Sequence, residues 1–439
     1  MPGAPFVLSG REASARDATV IDFTDGCLVV AIGCAIFWAV DPFTLQLWRH
    51  PVARHVPGLL AIGAACLSVA GRLIFRPETW PQLCAAFHAY LGLTLFALFA
   101  IAGSLYARFV LGIGSTYFSM GAYVILGGPV YLWILRTSSA PLAMIRTITV
   151  VFVAVSLLAV AINAARFDTR VFHSLEHIVL VSVAFPLLAG RNVATRAAGA
   201  AFLILGVVAQ NKLTGYLVML MIFAWVYADR LMIRLARDAD RLRARLRMYL
   251  GVTAALLGVM AALIAHESAR SLLPGGNIEY RLHTYEQAFN RFLDSWMWGR
   301  AFAAPAVEFF DLFVVNTSTQ YLPTHNDPLD ILANGGLLAA VPFALGLLAV
   351  ISIGWKALRA DWSPGGRSLG PLRPHLAMYF LIVVTGVVVM TFNPVLNEAS
   401  IAHIYWTSTA AMCALVAAAS TGNAKSALSG GLLHGGAKP

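Results

Sequence analysis

The sequence predicts an all-α, polytopic membrane protein, and three observations predict it. Of its 439 residues, 59% are hydrophobic and only 12% charged, against roughly 25% charged in an ordinary soluble domain. Mean hydropathy is +0.74. The apolar residues gather into runs close to the length of about 20 residues that a helix needs to cross a hydrocarbon core.

Taken in order, these runs predict about twelve transmembrane helices: 26–42, 56–75, 83–104, 112–135, 143–165, 174–190, 196–210, 213–229, 248–267, 336–356, 375–393 and 401–420. The stretch 174–229 is too long for two spans, and Gly190-Arg191-Asn192 and Asn211-Lys212 divide it into three. Residues 1–25 are polar, carry Arg11 and Arg16, and lack a short apolar region followed by a small-residue cleavage site. A cleaved signal peptide is therefore not expected, and the first span inserts as it stands.

Charge sets the orientation. Segment 229–247 holds seven arginines against three aspartates, a net of +4, whereas 266–335 holds four arginines against eight acidic residues, a net of −4. Positive loops stay in the cytoplasm, which puts the arginine-rich segment inside and the long polar loop outside. Arg136, Arg191, Arg196, Lys356, Arg359 and Arg373 fall inside on the same count. Both termini are then cytoplasmic. The expected layout is a cytoplasmic segment 1–25, nine spans over 26–267, an outer loop 268–335, three spans over 336–420 and a cytoplasmic tail 421–439. That tail is rich in Gly, Ala and Ser and is expected to be disordered.

The net charge of +10 is spread between apolar spans and reports orientation; no nucleic-acid motif accompanies it. Cys27, Cys34, Cys66, Cys84 and Cys413 lie in or beside apolar spans without C-x-x-C spacing, so they read as small hydrophobes.

The outer loop carries the chemistry. Gly275-Gly276 breaks the chain and Asn277 can cap a helix over roughly 278–297. Leu282, Tyr285, Phe289, Phe292 and Trp296 recur at three- and four-residue spacing, with Arg281, Thr284, Arg291 and Asp294 off that stripe. This stripe is expected to rest on the membrane surface or on the tops of other helices, with Trp296 and Trp298 near the headgroups. A second, short helix is expected after His325-Asn326, with Asp327 as N-cap, Pro328 in the first turn and Asn334-Gly335 as the stop. His325 would then sit just before a helix N-terminus, where amides and dipole favour an anion. Neutral imidazole makes it a candidate proton acceptor. Arg281 and Lys212 are the candidate cations on the same side. Asn211 lies beside Lys212, and Arg108, Arg166, Arg170 and Arg270 are further outer arginines that the sequence does not rank.

At these residues the chain resembles the O-antigen ligase (WaaL-type) and O-antigen polymerase superfamily. The ligase pattern is His, then Asn, Ser or Gln, nine residues, Gly, two residues, and Gly, Thr or Tyr. His325-Asn326 and Gly336 fit it, and Ala339 departs from it. The family's arginine early in the large loop corresponds to Arg281, and its Ser-Arg-like pair corresponds to Asn211-Lys212. The resemblance implies a GT-C-type glycosyltransferase fold with one large periplasmic loop, in the bacterial inner membrane. It implies a cofactor-free, metal-independent, inverting transfer of glycan from undecaprenyl diphosphate to lipid A–core. In that reading His325 and Arg281 are catalytic, while Lys212, Asn211 and Asn326 bind substrate. An O-antigen polymerase using the same donor is the nearest alternative. A polysaccharide transporter is a more distant one, because charged residues such as Glu176, Glu267 and Glu398 gather near span ends rather than at mid-membrane.

Overall fold

The computed structural model describes residues 22–40, 53, 56–113, 117–165, 175–190, 192–210, 213–235, 277–303, 325–362 and 369–420. Every regular element among them is helical. In chain order these are α1 (Phe23–Val40), α2 (Val56–Phe75), α3 (Trp80–Ala89), α4 (Leu91–Phe109), α5 (Tyr117–Ile125), α6 (Tyr131–Thr137) and α7 (Pro141–Ala165). They continue as α8 (Glu176–Ala189), α9 (Val193–Gln210), α10 (Leu213–Leu235), α11 (Asn277–Asp294), α12 (Asp327–Ala360), α13 (Arg373–Met390) and α14 (Ala399–Ser420).

Among the described residues eight helices are long and apolar enough to cross a membrane, and three further apolar helices are shorter. Their positions correspond to eleven of the expected spans; the one at 248–267 lies outside the described residues. The third span is displaced from the expected 83–104. The chain leaves helical geometry at Tyr90 (φ −107°, ψ 25°), so that α3 ends there and α4 forms the crossing. Tyr90 is held by its hydroxyl, which bonds Thr409 Oγ1 at 3.1 Å. The fourth span is continuous from Tyr117 to Thr137 through a π-turn at Leu126–Val130 that takes in Pro129, a wider turn able to absorb the hydrogen bond proline cannot donate.

α14 is the axis of the bundle and is buried along nearly all of its length. The hydroxyls of its middle turns are satisfied locally, as an apolar interior requires. Thr407, Ser408 and Thr409 return their hydroxyls to backbone carbonyls one turn earlier. His403 Nε2 lies 2.6 Å from the Tyr131 hydroxyl. α4 and α12 cross closely at glycines: a Cβ on Gly92 would lie 2.5 Å from the Pro342 carbonyl and 3.0 Å from Gly346, the small-residue contact typical of membrane helices.

The two ends of the bundle differ in chemistry. At one end Arg72 pairs with Asp25 and donates to the Thr137 carbonyl at 2.8 Å. There too Arg373 pairs with Asp229 and Asp361, and Trp362 donates to Asp229 at 2.9 Å. This is the end that the arginine distribution assigns to the cytoplasm. The opposite end gathers the first turn of α10, α11, the start of α12 and the segment 391–398 between α13 and α14.

Candidate active site

The site grows from the start of α12. His325 adopts a left-handed conformation (φ 57°), uncommon for a residue with a side chain, although histidine tolerates it better than most. Asn326 follows in extended geometry and is the N-cap: its Oδ1 accepts from Leu329 N at 3.0 Å. Asp327, the expected N-cap, is instead the first helical residue. Its carboxylate is engaged elsewhere, accepting from Val395 N at 2.7 Å, Leu396 N at 2.8 Å and Asn397 Nδ2 at 3.2 Å. Asn397 Nδ2 also donates to Asp330 at 2.9 Å. Both aspartates are fully buried, and together they clasp the 395–397 segment.

The expected stop at Asn334-Gly335 lies one residue further on. α12 breaks at Gly336, whose φ of 59° and ψ of −162° are not helical, and then resumes. The turn 295–302 docks into this break. Leu337 N donates to the Trp296 carbonyl at 2.9 Å and Leu338 N to that of Met297 at 3.1 Å, while the Asn334 carbonyl accepts from Arg300 N at 3.0 Å and Phe302 N at 2.8 Å. Gly335 and Gly336 allow this approach: a Cβ on either would meet the Phe302 ring at 2.6 Å or the Met297 carbonyl at 2.4 Å. Phe302 plugs the turn into the bundle, with its ring 6.0 Å from Phe96, 5.7 Å from Phe99 and 4.9 Å from Tyr117.

α11 presents two unlike faces. Thr284 and Ala288 are buried, and Arg281, Tyr285 and Arg291 are half-buried. Phe289, Leu293 and Trp296 are each more than 50% exposed. The helix therefore turns its polar edge toward the protein and much of its aromatic edge outward. The reason is local: this end of the bundle offers polar partners, whereas an aromatic edge at a membrane surface loses nothing by facing lipid. The Tyr285 hydroxyl donates to the Thr391 carbonyl at 3.4 Å and shares a hydrogen bond with Asn326. Burial raises the Tyr285 phenol above its ordinary pKa, which keeps it a hydroxyl. Arg291, Tyr117, Asp327 and Asp330 form one electrostatic neighbourhood beneath it.

Arg281 lies one turn before Tyr285 on the same edge, close enough for the guanidinium to act on the phenol. Among the described residues its buried Nε has no hydrogen-bond partner. The structure thus joins the Arg281 edge of α11, through Tyr285, to Asn326 and the backbone that carries His325. Asn211 and Lys212 lie outside the described residues. Two residues on, Thr214 Oγ1 accepts from Asn393 Nδ2 at 3.4 Å, so the start of α10 belongs to this end too.

Sequence reasoning missed the segment 391–398, which touches α10 through Asn393, α11 through the Thr391 carbonyl, and α12 through residues 395–397. Its signal was present: Asn393-Pro394 and Asn397-Glu398 are polar residues between two strongly apolar spans.

Compared with known proteins, residues 198–344 match the family described as O-antigen ligase. The match takes in α10, α11 and the first half of α12. No curated protein matches the chain.

Proposed function

We propose that this chain, whose match to the O-antigen ligase family supports its place in the O-antigen ligase/polymerase superfamily, transfers O-antigen glycan from undecaprenyl diphosphate to lipid A–core. The reading carries with it twelve spans, a GT-C-type fold and a site on the periplasmic side of the inner membrane. One observation supports it most: Arg281 is half-buried with an unpartnered donor, tied through Tyr285 to the residue beside His325. A buried donor without an acceptor is costly, and a phosphate oxygen would relieve that cost.

In this mechanism Arg281 and Lys212 bind the diphosphate, with Asn211 beside them. An acceptor sugar hydroxyl attacks the anomeric carbon from the face opposite the diphosphate. The carbon–oxygen bond to the leaving group breaks, its electron pair goes to the diphosphate, and the configuration inverts. The proton of the acceptor hydroxyl passes to His325. Arg281 neutralises the charge that develops on the leaving oxygen, and Asn326 holds the His325 backbone by capping the helix. No step calls on a metal or a cofactor.

The test is reconstitution with lipid-linked glycan and lipid A–core, comparing wild type with His325→Ala and Arg281→Ala. Each substitution is expected to lower transfer by about 10²-fold or more, the typical size of an acid–base or electrostatic contribution. Full ligation by both variants refutes the assignment.

Ala339 favours a second reading, a polymerase that extends the lipid-linked glycan. It sits fully buried against Gly335, where the ligase pattern has Gly, Thr or Tyr. A deletion strain distinguishes the two. Long lipid-linked glycan with bare lipid A–core marks a ligase, and a single repeat on the core marks a polymerase.

A further inference from the structure

At the end of the bundle opposite the candidate active site, α7, α8 and α13 leave an open cleft of about 350 Å³. Thr149, Val153 and Leu157 of α7 form one wall, Pro374 and Met378 of α13 the other, and Pro186 of α8 closes it. The lining is almost wholly apolar. The one hydroxyl in the wall is already used, Thr149 Oγ1 lying 3.0 Å from the Tyr379 hydroxyl. Along α7 the cleft runs from Thr149 to Leu157, about 12 Å at the helical rise. One leaflet of hydrocarbon is about 15 Å deep. The cleft therefore has the depth of an acyl chain lying in one leaflet, and its volume falls among ordinary ligand clefts.

Its mouth is cationic. Arg146 stands on the same face of α7, one turn before Thr149 and Val150, and is exposed. His375, at the lip on α13, is its electrostatic neighbour. Among the described residues no carboxylate pairs with Arg146. Arg146 is the cation of the mouth and His375 a ring beside it that can donate a hydrogen bond; both lie toward the starts of α7 and α13, where a headgroup would stand above a chain in the cleft.

We infer that this cleft binds an anionic phospholipid, one acyl chain between α7, α8 and α13 and the phosphate on Arg146 and His375. Basic pockets between helices at the cytoplasmic side of a membrane recognise such headgroups. None of the described lining residues is a carboxylate that could meet an ethanolamine or choline cation, and Asp229 and Asp361 at this end are engaged by Arg373, so the site prefers a net negative lipid over a zwitterionic one. It is remote from the 391–398 segment and independent of the proposed transfer reaction.

Native mass spectrometry of the full chain in detergent tests this, with phosphatidylglycerol, phosphatidylethanolamine and a polyprenyl phosphate as probes. Wild type is expected to retain one phosphatidylglycerol in preference to phosphatidylethanolamine by about fivefold, the attraction of a single basic residue for an anionic surface. Arg146→Glu should abolish the preference and Arg146→Lys should keep it. Val153→Trp, which fills the cleft from its lipid-facing wall, should lose retention of the phospholipid while keeping wild-type helicity. The inference is overturned if wild type shows no preference or if Arg146→Glu retains it. It is equally overturned if the Val153→Trp protein binds as wild type does, or if polyprenyl phosphate displaces phosphatidylglycerol at equal concentration.

Discussion

Gly336→Ala is the substitution whose cost the structure defines best. The residue's φ of 59° and ψ of −162° lie where only glycine rests easily, and forcing another residue there costs about 1–3 kcal/mol. The added Cβ would also stand 2.4 Å from the Met297 carbonyl oxygen and 2.6 Å from Trp298 N. These are backbone atoms of a docked turn, so no side chain can swing aside. Relief requires the turn to retreat, which lengthens the bonds from Leu337 N to Trp296 O at 2.9 Å and from Leu338 N to Met297 O at 3.1 Å. Each is worth about 1 kcal/mol. Together the effects come to about 3–5 kcal/mol, a large part of the about 5–15 kcal/mol that holds a typical folded domain together. Gly63→Ala is the control, because nothing lies within 4 Å of its Cβ position and alanine is the better helix former by about 1 kcal/mol. Thermal unfolding in detergent, with hydrogen exchange at Leu337 and Leu338, measures both. Gly336→Ala should melt well below wild type with faster exchange at those two amides, and Gly63→Ala should match wild type or exceed it. A Gly336→Ala protein that melts with wild type and keeps both amides protected refutes the reasoning.

Three other substitutions test other parts of the structure. Asp327→Asn leaves one oxygen for Val395 N and Leu396 N but sets an amide nitrogen against the donor Asn397 Nδ2 and should cost about 1–2 kcal/mol; it should also reduce transfer in the reconstituted assay, whereas full activity would separate the 395–397 segment from the site. Tyr285→Phe keeps the ring but loses the hydrogen bonds to Asn326 and Thr391. It is expected to lower kcat by about tenfold, the equivalent of the one bond to Asn326, with a modest fall in melting temperature, as read by parallel kinetics and calorimetry. Arg373→Ala leaves Asp229 and Asp361 without their shared cation and should destabilise by about 2 kcal/mol after discounting for partial exposure. Combining it with Asp361→Asn should cost less than the sum of the two single changes, as a double-mutant cycle of unfolding temperatures would report.

Residues whose behaviour depends on near neighbours were legible in the sequence, and those governed by distant partners were not. The apolar runs located the helices because a span in lipid must satisfy its own backbone, a condition internal to each segment. The break at Tyr90 depends on Thr409, at the other end of the chain, and nothing near residue 90 announces it. The short helix after His325 and its glycine stop were readable to within a residue. Aspartate is as good a cap as asparagine, so choosing Asn326 over Asp327 required knowing that Val395 and Leu396 already occupy the carboxylate. The period of α11 revealed two faces, but it does not say which one a protein surface will claim when the alternative is lipid rather than water. Arg281 stood out by charge and position. Tyr285, which ties it to Asn326, looked like one more aromatic in a stripe.

The docking of the 295–302 turn has a consequence for how this part of the chain can vary. Phe302 is fastened to the Asn334 carbonyl and Asn326 caps the other end of the same short helix. The short helix thus acts as a rod of about 13 Å between two attachments that are far apart in sequence. At about 100° of rotation per residue, inserting or deleting a single residue between Asn326 and Asn334 would swing the docked turn to another face of the rod, away from the line of the histidine. Substitutions within the rod are therefore open to this part of the chain, whereas a change in its length is not.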